Sequence, residues 1–250
     1  MVVFGLTDQG KVRSMNQDVF RIWESPGVCV FTVCDGMGGA NSGEVASDIA
    51  AGTFMDAITA ALAKPSVSAG GALASAMSAA VVRAGEAVYE RAISDPACDG
   101  MGTTLVAAAV VNGLAVVANV GDSRAYHISS SAESGGARVT RDHSVVEEMI
   151  ERGELTPEQA RVHPSRNLIT RALGSTRFER PDIFEARLEA GDKLLLCSDG
   201  LSNMLTDEEL YEYVRQARPS GDPAPAVTAL MEEALGRGAP DNVTVALFVL

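Results

Sequence analysis

The stretch that decides the fold runs from residue 103 to residue 120 and reads TTLVAAAVVNGLAVVANV. Two apolar runs flank the dipeptide Asn112-Gly113. Asn and Gly tolerate the left-handed backbone that a two-residue hairpin turn requires, and this arrangement is the strongest short-range signal for a β-hairpin. The sequence therefore predicts an antiparallel pair of strands in the middle of the chain.

Short runs rich in Val, Phe and Ile recur on both sides of this hairpin and predict further strands. They are MVVFGLT (1–7), FRIWE (20–24), VCVFTVC (28–34), RAYHIS (124–129), DIFEARLEA (182–190), KLLLCS (193–198) and NVTVALFVL (242–250). Hairpins rather than regular βαβ alternation dominate the middle of the chain, which indicates antiparallel sheets with helices packed outside them. We expect one domain that contains two sheets and spans residues 1–250.

Segments with apolar residues at helical spacing alternate with these strands. Residues 45–62 and about 70–93 predict a helical hairpin, and Asn41 with Glu44 resembles a capping box before it. Shorter helices are predicted over 144–155, from Thr156-Pro157, after Thr206 and over 227–235, with a loop at 219–225.

Composition and charge exclude some classes of partner. The chain carries a net charge of −13, which argues against nucleic acid or an anionic membrane as a partner. No apolar stretch is expected to span a membrane, and the amino terminus does not resemble a signal peptide. The four cysteines lack the spacing of a zinc site. We expect a reduced, cytoplasmic, soluble protein.

Aspartates recur beside strand-like runs, which places carboxylates at the rims of sheets. They occur in Asp35-Gly36, Gly121-Asp122, Asp199-Gly200 and Asp241-Asn242. Several converging carboxylates repel one another unless cations lie among them, and such hard oxygen ligands favour Mg²⁺ or Mn²⁺. Each Asp-Gly taken alone is equally consistent with a simple turn. The residues by themselves therefore support only a hydrolase with carboxylate-held metals.

Six short motifs, taken in order, resemble those of a known family. They are RSMNQD (13–18), DGMGG (35–39), GTT (102–104), GDSR (121–124), SDG (198–200) and DNVT (241–244). The series resembles the type 2C, or PPM, metal-dependent serine/threonine protein phosphatases, particularly their compact bacterial members. The resemblance covers about residues 5–248. It implies an α+β fold, a four-layer αββα sandwich in which helices flank two antiparallel β-sheets.

The resemblance also implies a metal centre with two central ions. Asp35 would bridge them, the Gly36 carbonyl would complete the coordination of the second ion, and Asp199 and Asp241 would hold the first. Asp18 would orient a metal-bound water. Its neighbour Gln17 stands where many relatives have Glu.

The remaining implied roles concern a third ion and the substrate. Asp122, with Asp199 shared, would hold a weaker third ion, and Arg13 would bind the substrate phosphate, which suits a planar guanidinium. A surface arginine is the alternative for Arg13. Met37 and Ala40 stand where many relatives have a histidine, so a metal-bound water is the implied proton donor.

The implied reaction is direct attack of a metal-activated water on phosphoserine or phosphothreonine in proteins. A thiolate mechanism is disfavoured because no C-x5-R loop is present. Implied partners are phosphorylated proteins and the bacterial serine/threonine kinases that the enzyme would oppose, and the family default is a monomer. The segment at about 144–174 matches the family's flap beside the active site, and a plain surface hairpin is its alternative.

Two other functions stay open at this point. A pseudophosphatase would bind phosphoproteins without turnover, although the intact Asp35, Asp199 and Asp241 argue against it. A calcium-binding module is a third possibility, but the chain lacks the twelve-residue EF-hand loop.

Overall fold

Two antiparallel sheets form the centre of the molecule, as the sequence predicts. The computed structural model describes residues 1–38, 42–68, 70–131, 135–215 and 221–250. The first sheet has the order β1 (Val2–Asp8), β11 (Val243–Val249), β10 (Lys193–Cys197), β7 (Arg124–Ile128), β8 (Gly136–Arg138). The second has the order β2 (Asp18–Ser25), β3 (Val28–Met37), β5 (Leu105–Val111), β6 (Leu114–Val120), β9 (Asp182–Arg187), with β4 (Gly102–Thr103) paired to the end of β3.

Helices cover the outer face of each sheet. They are α1 (Gly43–Leu62), α2 (Gly70–Ser94), α5 (Asp199–Ser202), α6 (Asp207–Arg215) and α7 (Ala224–Gly236), whereas α3 (Val145–Glu151) and α4 (Pro157–Arg161) lie in the segment of the predicted flap. Short 3-10 turns at Pro65–Ser68 and Pro96–Cys98 follow α1 and α2. The predicted helical hairpin is therefore formed by α1 and α2, which pack on the second sheet, whereas α5, α6 and α7 pack on the first.

Side chains alternate between two cores along each central strand, because successive residues of a strand face opposite sides of a sheet. In β3, Phe31 and Val33 point toward the other sheet, whereas Val30 and Cys34 point toward α1 and α2. Phe31 stacks on Phe248 of β11 with ring centroids 6.0 Å apart. Strands buried on both faces explain why β5 is apolar throughout. The four-layer αββα sandwich is thereby confirmed.

Local signals in the sequence specify the predicted turn and two helix starts. Asn112 and Gly113 have φ values of 50° and 80°, and they join β5 to β6 with Val111 opposite Leu114. Thr156 and Gln159 form a reciprocal capping box at α4. A second capping box precedes α6: the Thr206 amide donates to Glu209 Oε2 at 2.8 Å, and the Glu209 amide donates to Thr206 Oγ1 at 3.3 Å.

Several predicted boundaries are wrong by a few residues. β3 continues to Met37, so Asp35 lies inside the strand rather than after it. α7 begins at Ala224, so the predicted loop at 219–225 is helical at its end. The predicted capping residue Asn41 and the motif residues Gly39 and Ala40 lie outside the described residues.

The expectation that no apolar stretch reaches the length of a membrane span needs correction. α1 is long and apolar enough to cross a membrane by length and composition, with a mean hydropathy of 1.3 over the relevant window. One face of α1 carries Ala46, Ala50, Phe54 and Ile58, all fully buried in the core shared with α2 and the second sheet. This packing accounts for the apolar residues on that face of α1, since core helices bury one such stripe.

Candidate metal centre and active site

Asp18 and Asp35 are brought together by the register of two strands. They are directly opposite each other in the β2–β3 pair. Asp18 is buried, and its Oδ2 accepts hydrogen bonds from Ser198 Oγ and Thr244 Oγ1, each at 2.7 Å. Thr244 lies in β11 of the first sheet and Ser198 directly follows β10 of that sheet, so this carboxylate links the two sheets at one end of the sandwich.

The backbone around Asp35 is fixed by two threonines. Thr104 Oγ1 accepts from the Asp35 amide at 3.0 Å, and Thr103 Oγ1 donates to the Asp35 carbonyl at 2.9 Å. The next residue, Gly36, lies so close to the Gly43 and Gln17 carbonyls that a Cβ would clash with both. Glycine is therefore required here because the start of α1 approaches the end of β3.

Asp199 is the first residue of α5, directly after β10 and the capping position Ser198. Its Oδ2 accepts from Asn203 Nδ2 at 3.0 Å, whereas its buried Oδ1 has no hydrogen-bond partner. A Cβ on the following Gly200 would clash with the Asn242 carbonyl, so the start of α5 packs directly against the segment that precedes β11.

Asp241 lies on the more exposed side of the cluster, where it forms an ion pair with Arg13. Arg13 Nη2 donates to Asp241 Oδ2 at 2.7 Å, and the arginine side chain is 53% exposed. The neighbouring Asn242 holds the β1–β2 loop: its Nδ2 donates to the carbonyls of Gln9 and Met15 at 2.8 and 2.9 Å. The loop that carries Arg13 is therefore held by the residue next to Asp241.

Asp122 follows β6 and faces the cluster from the side of the predicted flap. Arg124 forms a bidentate ion pair with Asp142 nearby: its Nε donates to Oδ1 at 3.0 Å and its Nη2 donates to Oδ2 at 2.6 Å. His143 Nδ1 accepts from the Gly121 amide at 3.0 Å, so the histidine supports the turn that carries Asp122.

One cavity of about 270 Å³ contains most of the predicted site residues. Those on its lining are Arg13, Asp35, Gly36, Asp122, Asp199 and Asp241. Asp18 does not line this cavity but lies behind it, where the charges of Asp199 and Asp241 still repel its carboxylate and raise its pKa. The structure thus places the predicted residues together, while their individual roles stay predictions.

Burial and mutual repulsion disfavour the charged forms of these carboxylates. Burial is the main cause in each case. It raises the pKa of Asp18 to about 7, even though the hydrogen bonds from Ser198 and Thr244 act in the opposite direction. The pKa of Asp35 is held well above its usual value by burial and then by the charges of Asp18 and Asp199. Burial and neighbouring carboxylates likewise raise the pKa values of Asp122 and Asp199.

The donor chemistry of the cavity fits divalent cations that prefer oxygen ligands. Asp18 Oδ1 and Asp199 Oδ1 are buried and have no hydrogen-bond partner, which is costly unless a charge compensates them. Among the described residues, no three acidic, histidine or cysteine side chains already form a ligand geometry. The contacts of Asp241 with Arg13 and of Asp199 with Asn203 help to explain this, since an ion would compete with both.

Several supporting residues received no role from the sequence, although most lie inside the quoted motifs. Asn16 Nδ2 donates to Thr7 Oγ1 at 2.9 Å, and the Thr7 hydroxyl lies 2.7 Å from that of Thr244. This chain of polar groups ends on Asp18. The short polar residues beside each aspartate were the signal that could have indicated these supporting roles. Their hydrogen-bond partners, however, lie on distant parts of the chain.

The predicted flap contains α3 and α4, and backbone hydrogen bonds join its beginning to its end. Ser144 and Ile169 form an isolated bridge, and the Val145 amide donates to the Leu168 carbonyl at 2.9 Å. Arg161 Nη2 lies 3.4 and 3.3 Å from the carbonyls of Ser202 and Leu205, at and after α5. Asn167 and Ile169 line the carboxylate cavity, so this segment forms one of its walls.

Comparison with known proteins agrees with this architecture. The family model described as protein phosphatase 2C matches residues 9–236. The serine/threonine phosphatase stp of Listeria innocua is 34% identical over 245 residues, which cover 96% of this chain and 92% of that protein.

Two solved structures have the same fold. The serine/threonine phosphatase Stp1 from Staphylococcus aureus superposes with a TM-score of 0.87 at 33% identity, covering 99% of this chain and 94% of that one. The catalytic domain of the phosphatase PstP, solved in complex with two manganese ions, has a TM-score of 0.81 at 32% identity and covers 98% and 96%. The αββα sandwich, the cluster of aspartates at one end of it and these matches along nearly the whole length place this chain in the protein phosphatase 2C family.

Proposed function

We propose that this member of the protein phosphatase 2C family hydrolyses phosphoserine and phosphothreonine in proteins at the carboxylate cavity. The single observation that carries the proposal is the convergence of Asp35, Asp122, Asp199 and Asp241 on one cavity whose only cationic lining residue among those described is Arg13. So many carboxylates cannot bind a phosphate dianion without cations, because like charges repel at close range.

Asp35, Asp199 and Asp241, with the Gly36 carbonyl, would hold two divalent ions. The manganese-containing structure of PstP supports two ions, and Mn²⁺ or Mg²⁺ suits the all-oxygen donor set. Asp122 would hold a third, weaker ion together with Asp199. When bound, such ions supply a nucleophile at neutral pH and offset charge on the transferring phosphoryl group.

The residues of the chain orient and shield this chemistry. Asp18 is held by two hydroxyls behind the cavity and keeps one buried oxygen without a hydrogen-bond partner, which would accept a hydrogen bond from a water lying between it and the ions. Arg13 is 53% exposed, so its guanidinium has room to leave Asp241 and pair with the substrate phosphate. We further propose cytoplasmic phosphoproteins as substrates, so that the enzyme opposes serine/threonine kinases.

The test is release of phosphate from a phosphothreonine peptide with Mn²⁺, with a chelator, and with the Asp35→Asn variant. We expect metal-dependent turnover that falls by about 10²-fold or more in the variant, the loss seen when one preorganised electrostatic group is removed. Asp56→Asn, an exposed acid on α1, is the matched control. Equal and negligible release under all conditions would instead support a phosphoprotein-binding module.

A further inference from the structure

A second, larger groove opens beside the carboxylate cavity. It has a volume of about 780 Å³ and shares Arg13, Asp199 and Asp241 with the cavity. The two spaces therefore adjoin at the residues that would hold the phosphate and an ion. When the phosphate of a substrate polypeptide lies at Arg13, the substrate residues next to the phosphorylated one lie at this groove.

The walls of this groove are partly apolar, although they face solvent. Val12, on the β1–β2 loop, is 72% exposed, and Val162, at the carboxyl end of α4, is 79% exposed. Met204 and Pro240 also line the groove. Large apolar side chains that are exposed together around a groove, unlike scattered single ones, mark a site of interaction.

Hydrogen bonds hold both walls in place. On the loop, the Lys11 amide donates to the Ala239 carbonyl at 2.9 Å, and Gln9 Nε2 donates to the Arg13 carbonyl at 2.7 Å. On the flap, the Val162 amide donates to the Gln159 carbonyl, and the neighbouring Arg161 contacts the Ser202 carbonyl. The apolar side chains are thus presented by fixed backbone, so a ligand that covers them loses little to ordering of the loops.

We propose that this groove, bounded by Val12, Val162, Met204 and Pro240, binds an apolar side chain of the substrate polypeptide next to the phosphorylated residue. The proposal rests on the proposed function and adds a sequence preference to it. The occupant is the substrate itself, because the groove adjoins the cavity and shares Arg13 and Asp241 with it. Phosphopeptides with Leu, Ile, Val or Met near the phosphothreonine are the expected class.

The experiment is a series of phosphothreonine peptides in which one Leu replaces Ser at each of three positions on either side. Turnover is measured with Mn²⁺ for the full chain. We expect at least one position at which Leu raises kcat/KM about tenfold over Ser, as a filled apolar pocket of this size allows. The double variant Val12→Ser, Val162→Ser should bring that ratio toward one. Ile93→Ser, which removes a 67% exposed apolar side chain from α2 outside the groove, is the matched control and should keep the ratio.

The outcomes separate this proposal from the proposed function. Hydrolysis of all peptides without any preference for Leu, or a preference that survives in the double variant, would overturn the groove assignment alone. Failure to hydrolyse every peptide and p-nitrophenyl phosphate with Mn²⁺ would overturn the proposed function and this inference with it. Both valines are exposed, so their substitution leaves the core intact and the ratio is measured on folded protein.

Discussion

The two sides of the carboxylate cluster are built differently. On the sheet side, Asp18 is buried and Asp35 is half-buried; the two lie opposite each other in the β2–β3 register, and hydroxyl groups are hydrogen-bonded to both residues. On the loop side, Arg13 and Asp241 are 53% and 34% exposed and hold each other through one ion pair. Backbone pairing fixes the first side before any ligand binds, whereas the second can exchange partners. The difference indicates which residues form a rigid base and which respond to substrate and metal.

The largest effect is expected on the sheet side, from Asp18→Asn. The amide oxygen can still accept from Ser198 and Thr244, so the fold should persist while the charge and the free carboxylate oxygen are lost. We expect turnover of a phosphothreonine peptide to fall by about 10²-fold or more, with little change in Tm. Asp56→Asn serves as the control, and activity within twofold of the parent would show that the buried carboxylate has only a structural role.

An intermediate effect is expected for Asp122→Ala, between the two sides. Loss of a ligand to a weak third ion should lower turnover by about tenfold, while two tighter ions still bind. Isothermal titration calorimetry with Mn²⁺ checks this. Disappearance of a tight site in the titration would contradict the assignment of Asp122.

A smaller effect is expected on the loop side, from Arg13→Ala, and it concerns both substrate binding and metal binding. The variant should raise KM for phosphopeptides about tenfold, because one exposed charge-assisted contact is lost. It should also leave Mn²⁺ affinity equal or tighter, since Arg13 no longer competes for Asp241 Oδ2. Arg21→Ala removes a different surface arginine, one paired with Asp48, as the control. A weaker Mn²⁺ affinity in Arg13→Ala would argue against this competition.

The last effect concerns the stability of the metal-free protein, and it depends on pH rather than on a substitution. In the metal-free protein, the folded pKa of Asp18 is raised to about 7, so the folded state keeps a proton that the unfolded chain releases near pH 4. Its contribution to stability is therefore complete below about pH 4 and is lost as the pH rises through about 7. We expect the chelated protein to lose roughly 1–3 kcal/mol of stability from pH 5 to pH 8.

Thermal unfolding in chelator at the two pH values measures this loss, and Mn²⁺ should reverse it at pH 8. The Asp18→Asn variant should show a shallower pH dependence than the parent. A stability that rises with pH in chelator would contradict the raised pKa of the cluster.

Local patterns account for much of what the sequence predicts correctly. The Asn112-Gly113 turn and the Thr156 capping box depend on neighbours within three residues, so their chemistry is readable from the chain. The clustering of Asp35, Asp122, Asp199 and Asp241 was anticipated because each aspartate stands beside a strand-like run. The family resemblance then added the four-layer αββα arrangement of the two sheets and their helices.

The features that could not be predicted from the sequence depend on contacts between distant parts of the chain. Asp18 receives its hydrogen bonds from Ser198 and Thr244, which are 180 and 226 positions away. The extension of β3 to Met37 depends on pairing with β4. The ion pair between Arg13 and Asp241 depends on the loop that Asn242 holds. No local signal encodes such partners, because they are set by which strands become neighbours.

The position of β11 between β1 and β10 has a consequence for synthesis on the ribosome. The first sheet and the carboxylate cluster both require β11 and Asp241, which are made 206 positions after Asp35. At about 5–20 residues per second, that interval lasts on the order of ten seconds or more. During that time the nascent chain already contains Asp35 but still lacks Asp241, so the carboxylate cluster cannot assemble. Dephosphorylation can therefore begin only once β11 has been translated.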